Sequence, residues 1–325
     1  METSAADADW FSQRHRALAA TVSEFFRGNP AVVERALLCM YAEGHLLLDD
    51  VPGVGKTSLA RAIAQSVSGT VRRVQFTADL LPSDVTGVRI WDAASRTFEF
   101  HQGPVFANVA LVDEINRASP KTQSALLEVM EERQVTVDST TYRVPRPFMV
   151  IATQNPVEHG GTYELPEAQI DRFMIRTTVG YPDHAAEVAI LAAGTRGAQP
   201  EDLQPVLAET DLLRMTEIVR GVHLSPEMYD YIVMIVADTR RYPDQIRLGV
   251  SPRGGLSLAR AAQARAAATG RPFVTPDDVK ALAPVVLGHR IIMRHDARLD
   301  GLTGTDVLAR ITASVRIPDA YAIHR

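Results

Sequence analysis

The sequence lacks the features that mark secreted, membrane-spanning and zinc-binding proteins. It has one cysteine in 325 residues, Cys39, which excludes a disulfide framework and fits a buried core thiol. No apolar stretch approaches the roughly 18 residues that a membrane-spanning helix needs, and the first residues lack the basic and apolar segments of a signal peptide. The nine histidines show no metal-ligand spacing, so no structural zinc is predicted. We therefore expect a cytoplasmic protein without membrane insertion.

Neither sign of charge dominates the chain. The 34 lysines and arginines stand against 39 aspartates and glutamates, and basic residues form only short, interrupted runs. The formal net charge of −5 argues against a nucleic-acid partner, which would need a basic patch or stripe. With 46% apolar and 22% charged residues, the chain has the composition of an ordinary globular protein and is long enough for two domains.

Five short apolar or β-branched runs predict an α/β fold in the first part of the chain. Runs of this kind are typical of parallel strands buried on both faces. They cover residues 45–49, 71–76, 108–113, 148–153 and 172–179. Beyond about residue 182 the patterns are helical, near residues 185–193, 226–239, 252–268, 276–287 and 306–315. We therefore predict a five-stranded parallel sheet within residues 28–182 and an all-helical domain over residues 183–325. Residues 1–27 are expected to form a tail and a helix, the helix near residues 17–26.

A glycine-rich loop lies between the first predicted strand and a helix. It reads Asp50-Val51-Pro52-Gly53-Val54-Gly55-Lys56-Thr57. Gly53 and Gly55 let backbone N–H groups turn toward an anion, and the helix N-terminus adds unpaired donors. Lys56 would reach the β- and γ-phosphates of a nucleotide, and the Thr57 hydroxyl would ligate Mg²⁺. Asp50 stands where the strict pattern has glycine, and aspartate tolerates a left-handed turn better than most residues. We expect ATP and Mg²⁺ as cofactors, with the nucleotide held by residues 52–57 and by Ser58.

Polar side chains follow the third and fourth predicted strands. Asp113 and Glu114 end the third strand, and Asn155 follows the fourth. We expect Asp113 to hold Mg²⁺, Glu114 to act as general base on the attacking water, and Asn155 to position that water. In the plainer alternative, the two carboxylates favour the N-terminus of the next helix and Asn155 forms an Asn-Pro turn. The phosphate-binding loop upstream favours the functional interpretation.

Two arginines stand in electrostatically poor positions. Arg253 follows Ser251 and Pro252 in the first turn of a helix, where the helix dipole disfavours a cation. Arg172 is expected at the start of the fifth strand, without an evident intrahelical partner. Either could stabilise the charge on a transferring phosphoryl group, and the alternative for each is a surface ion pair of small energy.

Together these segments resemble the MoxR branch of the AAA+ ATPases. The matching segments are residues 51–57 (Walker A), 108–118 (Walker B), 120–135 (the helical segment that follows Walker B), 152–156 (sensor 1), 165–173 (the arginine-finger segment) and 251–254 (sensor 2). The resemblance covers the chain from about residue 28 to its end. It implies a P-loop AAA+ domain followed by a helical lid, in a homo-oligomer, a hexameric ring, that hydrolyses ATP between neighbouring subunits. Arg253 would then contact ATP in its own subunit, and Arg172 would act on the neighbour's ATP.

The resemblance also implies a chaperone-like role. ATP turnover would mature or activate other protein complexes, commonly together with a partner that carries a von Willebrand factor A domain. Two inserted segments, near residues 84–102 and 134–145, would face a central pore. In them Trp91, Phe98 and Phe100 are candidate contacts for protein clients.

Three alternatives stay open at this point. A magnesium-chelatase-like motor for metal insertion is the nearest relative in mechanism. A DNA-acting motor is disfavoured by the charge balance. A P-loop kinase for small molecules is disfavoured by the adjacent Asp113 and Glu114 and by the large helical region.

Overall fold

The computed structural model of the chain describes residues 2–49, 54–155, 162–182, 184–195 and 203–321. Its helices are α1 (Ala5–Phe25), α2 (Pro30–Tyr41), α3 (Lys56–Ser66), α4 (Pro82–Thr86), α5 (Pro120–Glu132), α6 (Glu167–Ile170), α7 (His184–Thr195), α8 (Glu209–Gly221), α9 (Pro226–Asp238), α10 (Pro252–Ala268), α11 (Pro276–Leu287), α12 (His295–Leu299) and α13 (Gly304–Ser314). Its strands are β1 (Leu46–Asp49), β2 (Val71–Gln75), β3 (Gly87–Asp92), β4 (Thr97–Gln102), β5 (Val109–Asp113), β6 (Gln134–Val137), β7 (Thr140–Arg143), β8 (Met149–Gln154), β9 (Ile175–Thr177), β10 (Ile246–Leu248) and β11 (Ile292–Met293). None of the described helices is both long and apolar enough to cross a membrane.

A five-stranded parallel sheet forms the centre of the first part of the fold, as predicted. Its spatial order is β2-β5-β8-β1-β9. β5 is buried throughout, and in β1 and β8 only the last residue is partly exposed, which explains their continuous apolar sequence. The parallel register sets Gln75 of β2 opposite Asp113 of β5, and Val112 of β5 opposite Ala152 of β8. The carboxyl ends of these three strands therefore meet at one edge of the sheet.

The N-terminal helix is longer than the sequence analysis predicted. The sequence predicts a tail and a helix near residues 17–26, whereas α1 begins at Ala5. The Ser4 hydroxyl accepts the Asp7 backbone N–H at 3.1 Å and donates to the Asp7 carboxylate at 2.7 Å. The hydrogen bonds that this carboxylate accepts from Ser4 and from Arg214 lower the pKa of Asp7. This is a capping arrangement, so the supposed tail starts the helix.

Three expectations about strands and helices were wrong in detail. The fifth strand, expected over residues 172–179, is only three residues long, and Arg172 lies in the turn after α6. The helical region contains one small ladder, in which Ile246 pairs with Met293. Beyond residue 182, helices α8 and α12 were not predicted. A ladder of two or three residues between distant segments leaves no periodic signal in either segment, which is why the sequence did not reveal it.

The described chain divides into two compact units. The sheet unit comprises Ala17–Arg172 and Thr177–Leu213, and the helical unit comprises Met1–Arg16, Phe173–Arg176 and Arg214–Arg325. Within the helical unit, the buried Arg290 guanidinium donates to the Phe173 carbonyl at 2.8 Å and to the Met174 carbonyl at 3.3 Å. The sequence division at residues 27 and 182 into tail, α/β domain and lid stays a prediction.

Two antiparallel hairpins lie where the resemblance implies insertions. They are β3–β4 and β6–β7, and Phe100 of the first stacks on Tyr142 of the second with ring centroids 4.1 Å apart. Trp91 and Phe98 form an edge-to-face pair on the first hairpin and are each more than half exposed. Of the three candidate client contacts, Phe100 is therefore packed between hairpins, whereas Trp91 and Phe98 are open to solvent.

Candidate active site

Gly55 begins the helix that follows the glycine-rich loop. It is the N-cap of α3 and has φ +91°, a conformation that glycine adopts without strain. Its carbonyl accepts the Leu59 N–H at 2.9 Å, so the helix starts at once and directs its first N–H groups toward the loop. Residues 50–53 of the loop, among them Pro52 and Gly53, lie outside the described residues. Val54 is buried beside Gly55.

A phenylalanine packs against this turn. Phe26 is 3% exposed, and a Cβ added to Gly55 would lie 3.2 Å from its ring. Glycine is thus favoured at position 55 by the backbone angle, and a side chain there would also require the Phe26 ring to shift slightly.

The two predicted carboxylates lie at the end of β5 and are held by Thr153 of β8. The Thr153 hydroxyl accepts the Glu114 N–H at 3.0 Å and donates to the Asp113 carboxylate at 3.3 Å. Glu114 has φ +56°, which is unusual for a residue with a side chain and is a form of backbone strain found at functional sites. The hydrogen bond from β8 holds this strained residue in place.

Both carboxylates also have charged or polar partners. Nε of Arg73, on β2, lies 2.7 Å from Oδ2 of Asp113. The Gln75 amide donates to Oε2 of Glu114 at 2.8 Å, and Nε of Arg117 lies 3.0 Å from the same oxygen. Asp113 is 7% exposed, so its negative charge needs this compensation to be stable.

One cavity of about 300 Å³ unites these groups. It is lined by Gly55, Lys56, Thr57, Arg73, Gln75, Asp113, Glu114, Thr153 and Asn155. Six of these nine residues were predicted from the sequence as site residues. The other three, Arg73, Gln75 and Thr153, were not. Arg73 and Gln75 could have been found because alternate residues of β2 lie on the same face of the sheet. Thr153 could have been found because it lies within the sensor 1 segment.

Four predicted site residues within the described ranges do not line this cavity: Val54, which is buried beside Gly55, and Ser58, Arg253 and Arg172. Ser58 lies on α3, one residue beyond Thr57. Arg253 lies in the first turn of α10 in the helical unit, where the Ser251 hydroxyl accepts the Gly254 N–H at 3.4 Å. Arg172 pairs with Glu131 of α5, Nη2 to Oε2 at 3.2 Å, rather than standing at the start of a strand. The roles assigned to all four stay predictions.

The chemistry of the cavity fits a magnesium ion bound together with phosphates. Thr57 and Asp113 contribute hard oxygen donors, and Mg²⁺ usually takes one or two protein oxygens and completes its shell with phosphate and water. Within the described ranges, no group of three or more His, Cys, Asp or Glu side chains is arranged to hold a metal by itself. A metal site here would thus depend on the nucleotide for its remaining ligands.

Known proteins match the chain over both units. Residues 45–175 match the model described as the ATPase family associated with various cellular activities (AAA), and residues 240–311 match the AAA lid domain model. YeaC of Bacillus subtilis (strain 168) is 47% identical over 283 residues, which cover 87% of this chain and 88% of YeaC. Chaperone MoxR1 of Mycobacterium tuberculosis (strain H37Rv) is 41% identical over 311 residues, which cover 93% of this chain and 82% of MoxR1.

Two further similarities bear on fold and on the alternatives. A crystal structure of a Cytophaga hutchinsonii protein, described as a candidate ATPase, superposes with a TM-score of 0.90 at 35% identity. It covers 96% of this chain, and the superposition covers 97% of that one. The aerobic cobaltochelatase subunit CobS of a Sinorhizobium species is 26% identical over 59% of this chain.

The geometry at Gly55 predicts the effect of a single methyl group. Gly55→Ala should lower the free energy of unfolding by about 1–2 kcal/mol, because alanine is strained at a positive φ. Gly255→Ala in α10 is the matched control: its Cβ would lie 3.5 Å from Val236, an ordinary contact, and alanine favours helix by up to about 1 kcal/mol. Urea unfolding of both variants measures the difference. A Gly55→Ala protein as stable as the wild type would contradict the assigned turn.

Proposed function

Because the chain belongs to the MoxR family of AAA+ ATPases, we propose that it hydrolyses ATP to ADP and phosphate in the cavity at the ends of β2, β5 and β8. The observation that carries this proposal is the convergence of Lys56, Thr57, Asp113, Glu114 and Asn155 on one cavity from three separate segments. They supply a cation for phosphate, a hydroxyl, two carboxylates and an amide, which are the groups that phosphoryl transfer to water requires.

Each group has a distinct part in the proposed reaction. Lys56 and the N–H groups at the start of α3 bind the phosphates. Thr57 and Asp113 would hold Mg²⁺, which neutralises charge on the phosphate oxygens when it is bound. Glu114 takes the proton of the attacking water, and Asn155 orients that water toward the γ-phosphate.

Removal of the proposed general base tests the hydrolysis mechanism. Glu114→Gln should keep nucleotide binding and lower hydrolysis by about 10²–10⁴, the usual contribution of a general base. Phosphate release and binding of a fluorescent ATP analogue measure the two effects separately. Glu132→Gln, on the exposed end of α5, is the matched control and should hydrolyse ATP normally. Hydrolysis by Glu114→Gln at the wild-type rate would refute the assignment of the base.

We further propose that the active site is shared between subunits of a homo-oligomer, a hexameric ring. In this proposal Arg172 acts on ATP bound by the neighbour, and Arg253 contacts ATP in its own subunit. The pair of Arg172 with Glu131 does not oppose this role, since the two side chains are 29% and 40% exposed and such pairs are worth about 0–1 kcal/mol. Arg172 can therefore leave Glu131 at small cost.

Mixing of two inactive variants tests the shared site. Arg172→Ala should bind ATP without hydrolysing it, because an arginine finger contributes about 10³–10⁵ to the rate. Lys56→Ala should fail to bind ATP but should still supply Arg172. In mixed oligomers about one interface in four is then complete, so activity should return. Glu131→Gln, which releases Arg172, should hydrolyse ATP at least as fast as the wild type. Full activity of Arg172→Ala alone would exclude the finger.

The biological role that we propose is remodelling of other proteins in the cytoplasm. The similarity to Chaperone MoxR1 supports it, and the exposed Trp91 and Phe98 offer an apolar surface for protein clients. A partner with a von Willebrand factor A domain is part of the same proposal. A chelatase-like role in metal insertion is the second candidate, supported by the weaker similarity to CobS.

Trapping the ATP-bound state tests the partner. Glu114→Gln incubated with ATP in a native lysate should retain a protein with a von Willebrand factor A domain, and retention should be lost with ADP. Trp91→Ser in the same background should lower the yield of clients. Recovery of a tetrapyrrole-binding chelatase subunit instead would favour the second candidate.

A further inference from the structure

Arg73 forms an ion pair with Asp113, the carboxylate that is proposed to bind magnesium. Its Nε is 2.7 Å from Oδ2 of Asp113. The side chain of Asp113 is 9% exposed and belongs to a buried strand, whereas that of Arg73 is 53% exposed on β2 at the edge of the sheet. One member of the pair is therefore fixed in place, and the other has room to change partners.

The alternation of β2 selects Arg73 rather than its neighbour. Successive side chains of a strand point to opposite faces. Arg73 and Gln75 line the cavity, whereas Arg72, which is also described and also exposed, is not among the lining residues. Two adjacent arginines on one strand thus differ in whether they reach the site.

Both oxygens of Asp113 are engaged in this structure. Oδ2 contacts Arg73, and Oδ1 accepts the Thr153 hydroxyl at 3.3 Å. A magnesium ion bound at Oδ2 of Asp113 would lie close to the Arg73 guanidinium, and two cations at such a short distance repel each other. The half-exposed guanidinium is the partner that can leave at the smaller cost, because solvent screens and solvates it.

We propose that Arg73 is a counter-cation of Asp113 that magnesium displaces, and that Arg73 thereby sets how strongly nucleotide binding depends on magnesium. Arg73 acts through Asp113 and is a positioning residue rather than a catalytic one. The inference rests on the proposed function, since it assumes that a nucleotide with magnesium occupies this cavity.

The proposal gives opposite expectations with and without the metal. Without magnesium, Arg73 offsets the charge of Asp113, so the polyphosphate meets less repulsion. Loss of the guanidinium charge should then weaken binding of metal-free nucleotide. With magnesium, the ion compensates Asp113 itself and no longer competes with Arg73, so binding should be unchanged or tighter.

Binding measurements on Arg73→Met test this. The probe is a fluorescent ADP, titrated in EDTA and in excess magnesium, followed by a magnesium titration at fixed ADP. We expect the Kd in EDTA to rise about five- to tenfold. This factor is at the lower end of the range usual for coupling between two sites, because Arg73 is half exposed and its charge is screened by solvent. The Kd in magnesium should not rise, and the magnesium concentration at half-saturation should fall.

Three further variants sharpen the comparison. Arg72→Met, one residue away on the same strand, is the matched control and should behave as the wild type in both conditions. Arg73→Lys keeps the charge and should restore most of the metal-free affinity. Arg73→Gln removes the charge but keeps a donor, so it should behave as Arg73→Met and replaces it if thermal unfolding without ligand shows that Arg73→Met is misfolded.

The Kd values of Arg73→Met in EDTA and in magnesium distinguish failure of the displacement model from failure of the proposed function. A rise of both Kd values by the same factor would mean that Arg73 contacts phosphate directly, and the displacement model would be overturned. Unchanged values in both conditions would overturn it as well. If the wild-type protein bound no nucleotide even with magnesium, the proposed function itself would fail, a result distinct from either of these.

Discussion

The parallel pairing of β2, β5 and β8 is the constraint on which the candidate site depends. Because the three strands run in the same direction, their carboxyl ends meet at one edge of the sheet. Arg73, Gln75 and Thr153 then lie within hydrogen-bonding distance of Asp113 and Glu114, although they are 39 or 40 positions away in the chain. A shift of one residue in either pairing would turn these side chains to the opposite face of the sheet.

This edge of the sheet is arranged around negative charge. Two adjacent carboxylates at the end of a buried strand would repel each other and anything anionic, unless the protein compensates them. Asp113 forms an ion pair with Arg73 and accepts a hydrogen bond from Thr153. Glu114 accepts a hydrogen bond from Gln75 and forms an ion pair with Arg117. The protein itself thus holds both carboxylates in fixed orientations, as a preorganised site for charge stabilisation requires.

The hairpins show a different balance between packing and exposure. Phe100 stacks on Tyr142 and also contacts Phe106 edge to face, so part of the aromatic surface stabilises the junction of the two hairpins. Trp91 and Phe98 pair edge to face, the Arg89 guanidinium lies 5.7 Å from the centroid of the Phe98 ring, and both aromatic residues stay more than half exposed. This exposed aromatic pair is the surface proposed for contact with protein clients.

Most helices and strands, and the chemistry of each single segment, could be predicted from local sequence. Buried strands, the loop at Gly55 and the start of α10 follow from local patterns, because apolar periodicity and capping act within a few residues. Even the early start of α1 has a local signal, the capping pair of Ser4 and Asp7. Tertiary structure alone decided that Arg73 and Gln75 belong to the site, that Arg172 pairs with Glu131, and that β10 meets β11. Those facts depend on which strands are neighbours and in what register, and no segment of the chain carries that information within its own span.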